Sequence, residues 1–461
     1  MANIKESRPG KQGPWNFAKR RARQSLQKIY QAAVSAAQPS VLLKKRLKIS
    51  ASVLVIETGR SRSRFPLTGK VYVVAVGKGA DVSARFWPRL LGDRLEQGIF
   101  IVRDRIVRER FQRIAILPAG HPLPDYRGLS ATKRCLEMLG RAGRNDCVIV
   151  FLMGGASSLL VQPASGIPLK DKRAATALFL KSGMNIREMN CVRKHISAVK
   201  AGGLLRAAYP ARVLTLAISD VIGDDPEVIG SGPSFHDSTT FSGAWKILQK
   251  HGLASKIPRA VKNHLLRGIR GEIPETLKPG SLLSGRSPYT VIANNQDSLL
   301  AAKKKAESLG FSARVLTAEL SGDARLQARA ICRKLKSSLR KKQSLRRPVC
   351  FLLGGETTVS VKGKGLGGRN QEFALASALE LRGYPGISLL SAASDGSDGP
   401  TDAAGAFVDG DTLARARRIG LDPYRALRDN DSYHFFEPLG DLFRPGPTGT
   451  NVLDFVIALV Y

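Results

Sequence analysis

Residues 351–382, FLLGGETTVSVKGKGLGGRNQEFALASALELR, hold the densest group of residues able to receive an anion. A glycine-rich turn, Gly363 to Gly368, carries Lys364 and leads into Arg369, Asn370, Gln371 and Glu372. Phe373, Leu375, Ala376, Leu379 and Leu381 then recur at helical spacing. A helix start presents backbone N–H groups and the positive end of the dipole, so it suits a phosphate or carboxylate. Glycine lets backbone approach a phosphate without a Cβ in the way. Arg369 at that mouth can clamp an oxyanion through two parallel hydrogen bonds. Gly363, Gly365 and Gly368 also fit the dinucleotide fingerprint G-x-G-x-x-G. In so glycine-dense a stretch the match carries little weight, and Lys364 and Arg369 suit multiply charged phosphate better. The plain alternative is a flexible cationic hairpin loop. No Walker A loop, G-x-x-x-x-G-K-[ST], occurs anywhere.

Five further places extend this logic. In KVYVVAVGKG (70–79) a buried-strand pattern runs into Gly77-Lys78-Gly79, which puts a lysine where α/β proteins bind ligands. In DCVIVFLMGGASSLL (146–160) an apolar strand ends in Gly154, Gly155, Ala156, Ser157 and Ser158, small residues that form a nest for an anion. NIREMNCVRKHISAVK (185–200) places Arg187, Asn190, Arg193, Lys194 and Lys200 on or beside one helix, with His195 read as a structural hydrogen-bonder. VLTLAISD (213–220) ends a strand in Asp220, and Asp224 and Asp225 follow; ISLLSAASDGSDG (387–399) ends one in Asp395 and Asp398. Aspartates after strands suit Mg²⁺, which takes oxygen ligands and substrate phosphates. They equally suit caps and turns.

These residues need strands and helices to aim them. The repeated order of strand, glycine or aspartate turn, and helix predicts an α/β architecture with parallel sheets and ligand crevices at strand C-termini. Residues 17–38 read as an amphipathic helix with Leu26, Ile29, Tyr30 and Val34 on one face. Residues 1–16 read as disordered; they lack a secretory h-region, and their Arg/Lys-rich, acid-poor composition is compatible with an organelle transit peptide. The basic, polar stretch around 266–288 reads as a domain boundary.

At 461 residues, 43% of them hydrophobic, the chain has material for two or three domains. Aromatic residues make up 6%, which argues against a nucleic-acid stacking surface. No apolar run approaches the ~20 residues of a membrane span. The formal net charge of +36 suits anionic ligands or nucleic acid, but the basic residues are spread along the chain without a nucleic-acid motif. Local clusters such as 303–305 and Arg340 to Arg347 read as solvated faces or linkers. Five cysteines, an odd number without CxxC, suggest neither a disulfide framework nor a zinc site.

Taken together, VGKGA (76–80), GHPLPD (120–125), MGGASSLL (153–160), NCVRKHIS (190–197), SDVIGDDPEVIGSGP (219–233), GGETTVSVKGKGLGGRNQEFAL (354–375) and SDGSDGPTDAAGA (394–406) resemble the bacterial glycerate 2-kinases with a C-terminal MOFRL domain. The resemblance implies two three-layer α/β domains, an N-terminal Rossmann-like one with a parallel sheet and a C-terminal one with a mixed sheet. It places the active site in the cleft between them. The expected organisation is a disordered basic extension (1–16), the kinase domain (17–265), a connector (266–289) and the MOFRL domain (290–461). The implied reaction transfers the ATP γ-phosphoryl group to the 2-hydroxyl of D-glycerate, with Mg²⁺. Lys78 and Arg369 are the implied catalytic cations and Asp220 the expected base. Gly154, Gly155, Ser157, Ser158, Lys194, Gly365, Gly367, Gly368 and Asn370 are expected to hold the nucleotide, and Asp224, Glu356 and Asp395 the metal. A cytoplasmic monomer or homodimer is expected, with small-molecule substrates, no specific nucleic acid and no membrane. Two departures stand out: the family usually reads Ser-Gly-Gly-Gly-Ser where this chain has Met153 to Ser157, and the basic surplus is atypical. The alternatives are an NAD(P)-dependent hydroxypyruvate reductase, resting on the fingerprint match, and a basic nucleic-acid-binding protein.

Overall fold

Val71–Val76 (VYVVAV), Cys147–Leu152 (CVIVFL) and Arg212–Ile218 (RVLTLAI) are nearly unbroken apolar runs, and each becomes a strand buried along almost its whole length. Such runs belong to strands covered on both faces. They form the middle of one sheet in a computed structural model that describes residues 14–59, 61–103, 109–285, 287–340 and 348–461. The disordered extension expected over 1–16 falls largely outside the described residues, as does most of the basic stretch 340–347; residues 14–16 already belong to a helix, Pro14–Ala37.

The chain divides into two units by contact. The first comprises Ala36–Asp297 and Thr448–Val452. Its strands are β1 (Leu47–Ser50), β2 (Val53–Glu57), β3 (Arg62–Pro66), β4 (Val71–Val76), β5 (Leu95–Arg103), β6 (Ile114–Ala119), β7 (Cys147–Leu152), β8 (Arg212–Ile218) and β9 (Tyr289–Ala293). β1 to β3 make a small antiparallel sheet. The others make a six-stranded parallel sheet in the order β6-β5-β4-β7-β8-β9. The order reverses between β4 and β7. The chain leaves those two neighbours in opposite directions, which opens a crevice at their C-terminal ends. β9, expected at the start of the C-terminal domain, instead completes this sheet beside β8, so the parallel sheet reaches past the boundary set at 266–289.

The second unit comprises the described residues up to Ser35, with Ser298–Pro447 and Leu453–Tyr461. Its strands are β10 (Ser312–Asp323), β11 (Val349–Thr358), β12 (Ile387–Ala393), β13 (Gly405–Asp409), β14 (Leu442–Phe443) and β15 (Asp454–Val460), in the order β10-β11-β15-β12-β13-β14. β10 and β11 run parallel and every other neighbouring pair is antiparallel, which gives the expected mixed sheet. Gly355 in β11 has a φ of +141°, and a Cβ there would stand 2.2 Å from the Leu320 carbonyl oxygen. Only glycine permits that approach, which coincides with the irregular β10–β11 register. Helix Arg369–Leu381 lies in the core of this unit, with Phe373, Ala374, Leu375 and Ala378 almost fully buried.

The N-terminal helix also packs in the second unit, through the apolar face that its periodicity predicts. The Tyr30 ring meets Phe443 edge-on at 4.8 Å and Phe455 at 6.1 Å, and its hydroxyl donates to the Ala393 carbonyl at 2.7 Å. Among the described residues no helix is long and apolar enough to cross a membrane. Removing the buried hydroxyl tests this docking: Tyr30→Phe takes from the Ala393 carbonyl its 2.7 Å donor, leaving the longer bond from the Gly396 amide at 3.4 Å, and is expected to cost about 1 kcal/mol, read as a lower urea midpoint at unchanged slope.

Candidate functional site

The crevice of the parallel sheet is built by backbone meeting backbone. The Lys78 amide donates to the Gly154 carbonyl at 2.8 Å, and the Met153 amide to the Val76 carbonyl at 3.0 Å. A Cβ on Gly77 would stand 2.7 Å from the Met153 oxygen. Gly154 in turn faces functional groups: its Cβ would come 2.6 Å from Asp220 Oδ2 and 2.8 Å from Asn451 Nδ2. Gly155 lies against the Lys78 side chain and the His121 ring, with Cγ and Nε2 at 3.6 and 3.3 Å from its would-be Cβ. Asn451 Nδ2 donates to Asp220 Oδ2 at 3.1 Å. So the loops after β4, β6, β7 and β8 bring Lys78, His121, Gly154, Gly155 and Asp220 to one place.

Two of these neighbours carried no role in the sequence reading. His121 counted only as part of GHPLPD (120–125) in the family resemblance. Asn451 stands in Thr448–Asn451, just before the last strand. That segment belongs to the first unit: Gln38 Nε2 donates to the Thr448 carbonyl, and Thr450 Oγ1 to that of Ala37. The signal for Asn451 was an asparagine between glycine-threonine and an apolar strand, which on its own reads as turn chemistry.

The nest residues are placed differently from expectation. Ser157 and Ser158 were assigned to the nucleotide, yet both hydroxyls serve the protein. Ser158 Oγ donates to the Gly155 carbonyl at 3.1 Å. Ser157 Oγ lies 2.7 Å from Ser231 Oγ, and Ser231 Oγ donates to Asn190 Oδ1 at 3.0 Å. That relay leaves Ser231 as the acceptor from Ser157. Lys194, also assigned to the nucleotide, is buried and paired with Asp237 at 3.1 Å and Glu227 at 3.4 Å.

In the second unit the glycine turn embraces its own protein. The amides of Lys362 and Gly363 both donate to Asn430 Oδ1, that of Gly365 to the Asp429 carbonyl, and that of Leu366 to Asp431 Oδ1. A Cβ on Gly365 or Gly367 would stand 2.3 Å from Asp431 or Ser432. The helix start is occupied as well. Asp398 accepts from the Asn370 amide at 3.1 Å and the Gln371 amide at 2.9 Å, acting as the cap that Gly368 lacks. Gly365, Gly367, Gly368 and Asn370 therefore shape and cap this helix; the acceptor at its mouth is the carboxyl of Asp398. Local sequence did not show this because the partners come from 398 and 429–432.

Arg369 is also engaged. Nε and Nη2 bind Asp454 bidentately at 2.5 and 3.0 Å, and Nη1 meets Glu356 Oε1 at 2.6 Å. Burial works against this charge, but Asp454 and Glu356 outweigh it and hold the guanidinium more firmly protonated than usual. Of the expected metal ligands, Asp224 accepts from Asn294, Glu356 pairs with Arg369, and Asp395 accepts from the Ser397 amide at 3.1 Å. Among the described residues no group of three His, Cys, Asp or Glu side chains is placed to hold a metal. The donor set does not fit a resident ion; a magnesium ion would come as part of a nucleotide substrate.

Comparison with known proteins follows this geometry. A profile described as a domain of unknown function, DUF4147, matches residues 25–266, and the MOFRL family profile matches 349–454. A D-glycerate 2-kinase of Thermotoga maritima is 40% identical over 85% of this chain and 91% of its own. The chain belongs to the glycerate 2-kinase family. A glycerate kinase crystal structure from Thermotoga maritima shares its fold, with a TM-score of 0.82 and 36% identity over 96% of this chain and 100% of that one. A family relative in Agrobacterium vitis, 37% identical over 97% of this chain and 96% of its own, bears the provisional name hydroxypyruvate reductase.

Two predictions come from the arginine and its helix. Arg369→Met leaves Asp454 buried without its partner and is expected to cost about 3 kcal/mol; adding Asp454→Asn recovers at least half, measured by urea unfolding. The carboxyl of Asp398 is pushed up to about 7 by burial, with Asp454 adding to the rise and the two amides opposing it. Between about pH 4 and that value the folded form keeps a proton that the unfolded form has released, so stability falls as pH rises through this window. Asp398→Asn removes that fall: the variant is the less stable at pH 4.5, and its deficit shrinks by pH 7.5.

Proposed function

We propose that this chain is an ATP-dependent glycerate 2-kinase, converting D-glycerate and ATP to 2-phosphoglycerate and ADP. The observation that carries the reading is the convergence of Lys78, Gly154, Gly155 and Asp220 at the point where the parallel sheet reverses its strand order. Phosphoryl transfer needs positioning and charge neutralisation more than covalent chemistry. Asp220 takes the proton of the glycerate 2-hydroxyl. That oxygen attacks the γ-phosphorus, the bond to the β–γ bridging oxygen breaks, and ADP leaves with the electron pair. Lys78 neutralises charge on the transferring group, and the missing side chains at Gly154 and Gly155 let Asp220, Asn451 and His121 close in beside it. Magnesium enters with ATP as one substrate complex.

Family membership supports the phosphotransferase reading. The reductase reading loses its footing in this chain. Its fingerprint glycines lie against Asp429, Asp431 and Asp398, and the helix amides a pyrophosphate would use are held by Asp398.

A coupled assay for glycerate-dependent ADP release is expected to show turnover, with NMR placing the phosphate on carbon 2. Lys78→Ala is expected to lose about 10²-fold or more in kcat, with an unchanged melting temperature. NAD(P)H oxidation by hydroxypyruvate in place of ADP release would reverse the assignment.

A further inference from the structure

A cavity of about 320 Å³ in the first unit shares no wall residue with Lys78, His121, Gly154, Gly155 or Asp220. Its wall includes Lys194, His195, Lys200, Arg206, His264 and Arg267, and no carboxylate lines it. Lys194 already has its acids, Arg267 pairs with Glu272 at 3.1 Å, and His195 lies 3.2 Å from Glu275. Lys200 is buried and spends its charge on neutral oxygens, donating to the Ser157 carbonyl at 2.6 Å and the Ser157 hydroxyl at 3.0 Å. Two neighbours do likewise: Lys172 donates to the Ile196 carbonyl at 2.8 Å, and Arg193 to the Ser157 carbonyl at 3.4 Å. Arg206 donates to the Glu275 carbonyl at 2.8 Å. Buried cations facing only neutral acceptors are costly and favour any anion that can reach them. Their mutual strain shows in Lys200, whose ammonium is held well below its ordinary value by burial and then by Arg193, Lys172 and Lys194.

We infer that this cavity is a second anion-binding site, taking a small polyanion of the phosphorylated-acid or pyrophosphate class. Its volume lies at the low end for ligand pockets, which run from roughly 300 to 1,000 Å³, so it suits a small molecule better than a whole nucleotide. Arg206 and Arg267, both exposed, offer their remaining guanidinium N–H groups to phosphate or carboxylate oxygens, Arg206 beyond its bond to the Glu275 carbonyl and Arg267 beyond its bond to Glu272. The site also reaches the crevice through one side chain, because Lys200 lines the cavity and grips Ser157 in the turn after β7. An occupant supplies counter-charge to Lys200 and strengthens that grip. None of this depends on which reaction the crevice performs.

The test separates the cavity from the crevice. Inorganic pyrophosphate and 3-phosphoglycerate are each titrated by calorimetry into the full-length Lys78→Ala protein. One site per chain is expected for at least one probe, and the stronger binder identifies the source of the phosphate. In the same background, Arg206→Gln with Arg267→Gln is expected to weaken that binding at least about tenfold. Ser165→Asp, which puts a carboxylate at the cavity wall, is expected to do the same and stands independently should the double change disturb folding. With Lys78 intact, the Arg206 and Arg267 changes leave turnover and melting temperature as they were. Absence of saturable binding by both probes, or an affinity indifferent to all three changes, overturns the site.

Discussion

Two strand ends that touch through their backbones are the constraint on which the first unit depends. β4 and β7 are neighbours at the reversal of strand order, and their exit turns are stitched together by the Lys78 amide and the Gly154 carbonyl. A side chain at 77 would strike the Met153 carbonyl beside this contact, and one at 154 would strike Asp220 and Asn451. With the turns locked, Lys78 and Asp220 reach the same hollow from opposite sides of the reversal. The chemistry we propose is therefore positioned by the sheet's order, and loop sequence sets only which groups arrive.

The second unit solves the placement of a cation differently. Arg369 sits in the first turn of a buried helix and is fixed by a bidentate carboxylate from β15 and a second carboxylate from β11. Such a pair carries a desolvation cost that good geometry offsets. What it secures is direction: a guanidinium gripped on two edges has one orientation. The same unit recruits the N-terminal helix, which is distant in sequence, by burying Tyr30 among Phe443 and Phe455.

Much of this was legible in the sequence, for identifiable reasons. Uninterrupted apolar runs ending in glycine or aspartate announced β4, β7 and β8, and with them Lys78, Gly154 and Asp220, because in a parallel sheet the strand pattern and the site position are one signal. The mixed second sheet came through the family resemblance. What failed was reading glycine as room for a ligand. The turn at 363–368 is glycine-rich because residues 429–432 press against it, and single-sequence reading cannot see a partner that far along the chain. His121 and Asn451 were hidden for the same reason, since each gains meaning only from Gly155 or Asp220 beside it. The hydroxyls of Ser157 and Ser158 were visible, but their direction was not.

The carboxylate of Asp398, standing at the start of a helix whose own sequence provides only glycine there, has a consequence for how this protein can change. The instruction for where helix 369–381 begins is written 28 residues beyond Asn370, in a different loop. Insertions or rearrangements in the loop after β12 would therefore be felt first as a loosened arginine on another element. Evolutionary drift in that loop is thus tethered to the aim of Arg369, although the two share no stretch of chain.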